Sequence, residues 1–272
     1  MAAKGRPMNN RRKLVIALVA SPLGVAFPTV ATAQTKLIAE IAPTGKLRVA
    51  MHVANPTLVT RTADGNVSGI SVDLGKFIAE KLGLAFEPVI YPAAAAYTAS
   101  FGKGEWDITL TGRNPLAAKL VDFMPDVMLV DYVFLAAPGR EFADPNQVDR
   151  AGVKIGVPRN ASADAFLSRT LKSAELVRVD GSIATAIELL RTGKVDLYAT
   201  GTEPVLKIAD SVPGAKIVGA FETVAFAVSI PKGRSSEAQS KIMQIVNDAK
   251  ASGIVQQAIE TSNLKGARVA PD

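Results

Sequence analysis

Two series of alternating strands and helices run along this 272-residue chain, and this repetition limits the fold more than any other feature of the sequence. Short apolar segments typical of buried strands alternate with segments that have helical spacing of apolar residues. In the first series the predicted strands are 47–53, 86–91 and 106–111, with helices at 72–82 and 94–102. In the second series the predicted strands are 153–157, 176–179 and 195–199, with helices at 163–171 and 183–191. Strands that alternate with helices form parallel sheets covered by helices, so the sequence predicts an α/β fold that is built twice.

Two further apolar segments, 130–136 and 224–230, lie outside both series and are extended in character. Each can carry the chain from one α/β unit to the other, and two such crossings form a hinge. Amphipathic helices at 237–250 and 254–261 then return to cover the first unit. We therefore predict two lobes, the first formed by residues 34–131 with 225–272 and the second by residues 132–224.

The first 33 residues have the pattern of an export signal. Five basic residues and no acid precede an apolar run over residues 14–30, and small residues follow at 31–33. This order is typical of a cleaved signal peptide, so we predict cleavage after Ala33 and a periplasmic mature protein. An uncleaved membrane anchor is the alternative, but two prolines and a glycine interrupt the apolar run. The adjacent arginines at 11 and 12 leave both the general secretory and the twin-arginine routes open.

Charge and cysteine content exclude several classes of protein. Removal of the first 33 residues takes away five of the 31 basic residues, which leaves 26 against 25 acids. The mature part has no Lys/Arg cluster, so a nucleic-acid surface is not expected. The chain has no cysteine, which excludes disulfides, thiolate metal sites and a lipid-anchored form. We expect a monomer without a metal or a cofactor.

Several short motifs follow one another along the mature chain. They are Gly45-Lys46-Leu47-Arg48-Val49, Gly69-Ile70-Ser71-Val72-Asp73-Leu74, Ile78-Ala79-Glu80-Lys81-Leu82-Gly83, Gly104-Glu105-Trp106-Asp107-Ile108, Val121-Asp122-Phe123, Val153-Lys154-Ile155-Gly156-Val157 and Gly193-Lys194-Val195-Asp196. In order and spacing this set resembles the bacterial extracellular solute-binding proteins of the polar amino acid type, family 3. The resemblance implies a type II periplasmic-binding-protein fold with two hinge strands between its lobes. It also implies capture of a small polar solute, an amino acid or a related compound, for the membrane permease of an ABC importer.

Loops that follow the strands are the expected ligand contacts, because open α/β sheets present backbone N–H groups and helix N-termini there. In members of the family the first such loop carries a hydroxyl-rich turn and an arginine that clamps the ligand's carboxylate. Here the loop provides Thr111, Gly112 and Arg113, but Ala117 stands at the position of that arginine. Arg113 is either a ligand contact or a surface charge, and Lys119 is expected to point to solvent.

The second loop follows the strand predicted at 153–157. The family places a Gly-Thr/Ser step there, whose amides and hydroxyl receive the carboxylate at a helix N-terminus. In this chain Asn160, Ala161 and Ser162 occupy the loop. Asn160 and Ser162 either bind an anion or only cap the helix.

The third loop follows the strand predicted at 195–199. Gly201 stands where the family places an aspartate for the ligand's ammonium group, and Thr200 and Glu203 lie beside it. Glu203 is either a substitute for that aspartate or a surface residue. The changes at Ala117 and Gly201 together put an α-amino acid ligand in doubt.

The end of the first predicted strand contributes the remaining candidates. His52, the only histidine, falls where the family often places a residue that selects the ligand's side chain. It is either a cleft residue or a structural one. Asn55, Tyr91 and Tyr97 are further candidates, although the aromatic residues can also pack against a helix.

Two other classes of function remain open besides transport. The same fold includes periplasmic cyclohexadienyl dehydratases, in which a buried carboxylate such as Glu203 could act as acid or base. No nucleophile–base pair supports an enzyme, so we expect none. A Glu203 that faces the pocket would favour the enzyme, and a Glu203 at the surface would favour transport. A sensor that docks on a membrane receptor is the third class.

Overall fold

The computed structural model of the protein describes residues 1, 2, 5, 30–62 and 64–271. The basic residues and almost all of the apolar run of the predicted signal peptide lie outside these residues. A helix, Val30–Ile41, spans the predicted cleavage position after Ala33. Within the described ranges, no helix combines the length and the apolar character needed to span a bilayer.

The described part of the chain contains eight α-helices, eleven strands and two 3₁₀ helices. The α-helices are α1 (Val30–Ile41), α2 (Ile70–Leu82), α3 (Ala94–Ala99), α4 (Ser162–Thr170), α5 (Ile183–Arg191), α6 (Thr202–Ser211), α7 (Ser236–Ala251) and α8 (Ile254–Thr261). The strands are β1 (Lys46–His52), β2 (Thr60–Arg61), β3 (Val67–Ser68), β4 (Ala85–Tyr91), β5 (Ile108–Gly112), β6 (Val121–Ala136), β7 (Lys154–Pro158), β8 (Glu175–Val179), β9 (Leu197–Gly201), β10 (Lys216–Pro231) and β11 (Ala267–Val269). The 3₁₀ helices are Ala117–Lys119 and Pro145–Gln147.

Nine of these strands form one sheet in the order β4-β1-β5-β10-β6-β9-β7-β8, with β11 paired to β6. Strand β1 is parallel to β4 and β5, and β7 is parallel to β8 and β9. Strands β6 and β10 are antiparallel to each other and join the two parallel parts. The predicted α/β class is therefore confirmed, with one parallel group of strands from each predicted series.

The two long strands connect two lobes. Lobe 1 contains β1, β4 and β5, and the second half of β10 pairs with β5 there. Lobe 2 contains β7, β8 and β9, and the second half of β6 pairs with β9 there. Each long strand has 16 residues, so both extend well beyond the crossings predicted at 130–136 and 224–230. Four register shifts in the β6–β10 pairing show that the ladder between the lobes is irregular.

The same contact aligns the third strand with the first strand in each lobe. In lobe 1, the carboxylate of Asp107 accepts hydrogen bonds from the backbone N–H of Arg48 (2.9 Å) and from its guanidinium (2.8 and 3.1 Å). In lobe 2, Asp196 accepts a hydrogen bond from the backbone N–H of Lys154 (2.8 Å) and pairs with Arg140 (2.7 Å). Each aspartate N–H also donates to the carbonyl of Arg48 or Lys154. The recurring aspartate before the third strand thus has a structural cause in both lobes.

Helix α6 is an element of the second lobe that the sequence pattern did not predict. Gly201 and Pro204 favour a loop at 200–204, because both residues are common in turns. Pro204 is instead the third residue of α6, where its missing N–H would have no intrahelical partner. Other differences are small: the helix predicted at 94–102 ends at Ala99, and the strand predicted from Trp106 begins at Ile108.

Candidate ligand-binding cleft

A cavity of about 340 Å³ lies between the two lobes. Its wall includes the carboxyl ends of β1, β5 and β7 and a residue near the end of β9, which is where open α/β sheets bind ligands. The first residues of α4 and α5 also line it. The volume lies at the lower end of the range of small-molecule pockets, roughly 300–1,000 Å³. The cavity therefore suits a small solute that contacts both lobes.

The lobes touch each other across this cleft. The backbone N–H of Ala95 in α3 donates to the carbonyl oxygen of Asp180 in lobe 2 (3.0 Å). A Cβ added at Gly112 in lobe 1 would lie 2.6 Å from Ser162 Oγ in lobe 2. Such a distance is too short for a real contact, so glycine at 112 permits the close approach of the lobes. The two lobes therefore lie in contact across the cleft in this structure.

Aromatic side chains from lobe 1 form one wall of the cavity. Tyr97 and Phe101 line it, with their rings edge to face and 5.0 Å apart, and Phe101 packs in turn on the buried Trp106. The hydroxyl groups of Tyr97 and Thr109 form a hydrogen bond of 2.6 Å. Burial raises the pKa of Tyr97 to about 12, so its side chain is neutral at physiological pH.

Three further aromatic residues, which the sequence pattern did not single out, also line the cavity. Tyr132 and Tyr198 come from β6 and β9 in lobe 2, and Phe226 comes from the part of β10 that pairs with β5 in lobe 1. Burial raises the pKa of both tyrosines above the ordinary value. Tyr132 lies inside the crossing predicted at 130–136, so its position beside the hinge was a usable signal. No such signal marked Tyr198 and Phe226, because aromatic and apolar residues within a strand most often belong to the hydrophobic core.

His52 and Asn55 both line the cavity near the end of β1. The ring of His52 packs against Tyr97 at 5.0 Å between centroids. Burial lowers the pKa of His52 to about 4, so the imidazole is uncharged at neutral pH. His52 Nδ1 and Asn55 Oδ1 are buried and have no hydrogen-bond partner among the described residues. Both side chains line the cavity, but these two atoms are themselves shielded from solvent.

The loop after β5 is only partly directed into the cavity. Thr111 and Gly112 line it, but Arg113 does not. The guanidinium of Arg113 pairs with Asp126 and donates to the carbonyl of Met124 (2.7 Å), so Arg113 is engaged outside the cavity. Ala117 and Lys119 line the cavity instead. Lys119 is exposed, as expected of a residue that points to solvent, and it also lies at the cavity edge.

The loop after β7 lies at the cavity as a whole. Asn160, Ala161 and Ser162 all line it, and Asn160 adopts a left-handed backbone conformation (φ 60°). Helix α4 begins at Ser162, and its N-cap residue is Ala161, which has no side-chain cap. Capping of α4 by Asn160 or Ser162 is thus not observed. The N-terminal end of α4, with its partial positive charge, lies at the wall.

Only part of the loop after β9 lines the cavity. Thr200 lines the cavity, while Gly201 caps the start of α6 and is not in the wall. Glu203 lies outside the cavity, and its carboxylate accepts a hydrogen bond from the backbone N–H of Lys265 (2.5 Å). Tyr91 is also outside, where its hydroxyl donates to Glu105 (2.6 Å).

Charged groups are scarce in the wall. Of the lining residues in the described part of the chain, Lys119 alone carries a formal charge at neutral pH, and none is an aspartate, glutamate or arginine. No group of three or more potential metal ligands occurs in the part of the chain that the structure describes. The cavity offers hydroxyl groups, side-chain amides and aromatic rings.

The family model for "Bacterial extracellular solute-binding proteins, family 3" matches residues 47–261. The chain belongs to this family. The match covers both lobes and all the loops described above. No curated protein matches the sequence significantly.

Solved structures of several solute-binding proteins share the fold. A mutant of the arginine-binding protein ArgBP from T. maritima has 21% identity and a TM-score of 0.70, over 84% of this chain and 99% of that one. The solute receptor for L-cysteine of Neisseria gonorrhoeae has 19% identity and a TM-score of 0.73, over 86% and 99%. The ancestral amino acid-binding protein AncCDT-1, described as a precursor of cyclohexadienyl dehydratase, has 19% identity and a TM-score of 0.68, over 82% and 97%. These likenesses confirm the two-lobed type II fold.

Proposed function

We propose that this family 3 protein is the exported, periplasmic solute-binding component of an ABC importer. It would capture a small polar solute between its lobes and present it to the membrane permease as a monomer. The observation that carries the proposal is the cavity of about 340 Å³ enclosed by residues of both lobes. In the mature protein the lobes would comprise residues 34–131 with 225–272 and residues 132–224.

Hinge closure would couple binding to transport. The lobes are joined by β6 and β10, and they meet across the cleft through the Ala95–Asp180 hydrogen bond and the Gly112–Ser162 approach. A solute that contacts both walls binds the closed form more tightly than the open form, so it shifts the population towards closure. The closed form would be the species that the permease recognises.

The placement of carboxylates favours binding over catalysis. A dehydratase needs an acid or base at its substrate, and Glu203 was the candidate for that role. Glu203 lies outside the cavity and is bound to the Lys265 N–H. Glu222 has a pKa raised to about 7 by burial, but it is not in the cavity wall either. A dehydratase therefore remains the second candidate function, and no carboxylate in the cavity wall supports it.

A ligand screen by thermal unfolding tests the proposal. Amino acids, carboxylates, amines, sugars and neutral ring compounds would each be added to the purified protein. A true ligand at about 100 times its dissociation constant adds about 2.7 kcal/mol to the free energy of unfolding. For a chain of this size the melting temperature should then rise by roughly 5–10 °C.

Two further measurements complete the test. Small-angle scattering should show a smaller radius of gyration with the ligand if binding closes the cleft. Prephenate turnover should be absent. Turnover of prephenate by a protein that no compound stabilises would refute the transport function and support the dehydratase.

A further inference from the structure

The charge of the cavity wall does not match the charge of an amino acid. An α-amino acid carries a carboxylate and an ammonium group, and burial of either group without a partner is strongly unfavourable. Among the described residues, the wall contains no aspartate or glutamate that could form an ion pair with an ammonium group. Its one charged residue there, Lys119, is exposed at the edge. A zwitterion in this cavity would find no carboxylate in the wall for its positive group.

Charged side chains close to the cleft are already engaged elsewhere. Arg113 pairs with Asp126, and Asp164 near the start of α4 pairs with Arg178 (2.8 Å). Glu203 accepts a backbone hydrogen bond outside the cavity. Each of these groups would have to break an existing contact before it could meet a ligand. None of them replaces the missing partners of an amino acid.

The wall instead offers aromatic surface and neutral polar groups. Tyr97 from lobe 1 and Tyr132 from lobe 2 both line the cavity, and Phe226 lines it as well. His52 and Asn55 carry buried polar atoms without protein partners. Aromatic side chains bind flat rings well, and neutral polar side chains of the wall, such as Asn160 and Thr200, favour a ligand that can donate and accept hydrogen bonds.

We propose that the cleft takes an uncharged ring compound with hydrogen-bonding substituents, such as an aromatic amide or a nucleobase, and not a zwitterionic amino acid. This inference rests on the solute-binding function proposed above. The cavity volume of about 340 Å³ fits a compound of this size. Hydrogen bonds and ring contacts would fix the ligand, with no ion pair.

Isothermal titration with matched compounds tests the charge class of the ligand, that is, whether the cleft prefers neutral or charged compounds. Nicotinamide is compared with nicotinate, and benzamide with benzoate and benzylamine; uracil is added as a second neutral ring. Phenylalanine, arginine and glutamine represent the zwitterions. At least one neutral ring should bind, more tightly than its charged counterpart by about tenfold or more, which corresponds to about 1.4 kcal/mol. Its affinity should not change between low and high salt, because no ion pair forms.

The outcomes separate this inference from the function on which it rests. Binding of an amino acid, or tighter binding of nicotinate or benzoate than of the amides, would overturn the charge class and leave solute binding intact. A fall of affinity with salt would overturn it in the same way. If no compound of any class binds in titration or in the thermal screen, both the charge class and the transport function fail.

A pair of variants tests the role of wall charge directly. Ala117 lies in the wall and is buried, whereas the neighbouring Ala118 is exposed and outside it. Ala117→Arg should shift the preference from nicotinamide towards nicotinate by about tenfold or more, because it adds a guanidinium beside the ligand. Ala118→Arg adds the same charge one residue away and should not change the preference. Equal behaviour of the two variants, with both folded by circular dichroism, would contradict the inference.

Discussion

Removal of the aspartate that aligns the third strand should affect the two lobes unequally. Asp107 is 1% exposed, and its carboxylate binds both the backbone N–H and the largely buried guanidinium of Arg48. Asp196 makes the same backbone contact in lobe 2, but its partner Arg140 has 58% of its side chain exposed. Asp107→Ala therefore removes the bound carboxylate from a cation whose side chain is only 17% exposed, while Asp196→Ala mainly leaves one backbone N–H unpaired.

The size of each effect follows from these contacts. Breaking a buried ion pair costs about 3–5 kcal/mol, so Asp107→Ala should lower the free energy of unfolding by about 4 kcal/mol. Loss of a partner for a buried N–H costs about 1–3 kcal/mol, and an exposed ion pair adds at most about 1 kcal/mol. Asp196→Ala should therefore cost about 2 kcal/mol, and Arg140→Ala should cost less than about 1 kcal/mol.

Urea unfolding followed by far-UV circular dichroism measures all three variants. A double variant, Asp107→Leu with Arg48→Met, removes the whole Asp107–Arg48 ion pair. That double variant should be more stable than Asp107→Ala, because no buried charge is left without a partner. The reasoning is refuted if Asp196→Ala is as destabilising as Asp107→Ala, or if the double variant is the least stable of the set.

Three further changes have defined outcomes. Burial raises the pKa of Glu222 to about 7 from 4.5, so the folded state keeps a proton that the unfolded chain loses, and stability falls as pH rises through 7. At pH 8 the free energy of unfolding of Glu222→Gln should therefore exceed that of the parent by about 1 kcal/mol after allowance for solvent, and its melting temperature should be higher. At pH 4.5 the two proteins should have the same stability. The pKa of His52 is lowered to about 4 from 6.5, so its contribution is complete above pH 6.5 and is lost as pH falls towards 4. The melting temperature of His52→Gln should depend less on pH than that of the parent between 6.5 and 4, and an equal dependence would contradict this assignment. Gly112→Ala places a methyl group against Ser162 in the other lobe, an overpacking that costs about 1–3 kcal/mol in the closed form. Ligand affinity of Gly112→Ala in titration should fall by roughly 5- to 150-fold. Part of this loss should be recovered in a double variant with Ser162→Ala, because the smaller side chain makes room for the added methyl group. Unchanged affinity of Gly112→Ala would show that the lobes do not approach here.

The fold was predictable from local pattern because each strand and helix of an α/β unit carries its own periodicity. Helix α5 begins and ends at the predicted residues, and α8 does as well. The two long strands were underestimated, because an irregular antiparallel ladder has no clean alternation outside its apolar centre. Helix α6 was missed because Pro204 reads as a turn signal, although a proline is tolerated in the first helical turn.

The candidate site was predictable to the extent that strand ends define it. His52, Asn55, Thr111, Gly112, Asn160, Ala161, Ser162 and Thr200 all line the cavity. Side-chain direction was not predictable, because distant partners decide it. Arg113 is drawn away by Asp126, and Glu203 by the Lys265 backbone, 62 residues further along the chain. Tyr198 could not be selected either, because its place in the wall depends on how the lobes meet.

The contact that joins Ala95 to Asp180 uses main-chain atoms only. Substitution of either side chain leaves its donor and its acceptor in place. Under the proposed function, recognition of the solute would instead depend on side chains in the wall, such as His52 and Asn55. This contact between the lobes and the polar side chains of the wall therefore depend on different atoms. Side-chain substitutions in the wall can change its chemistry while this hydrogen bond between the lobes stays in place.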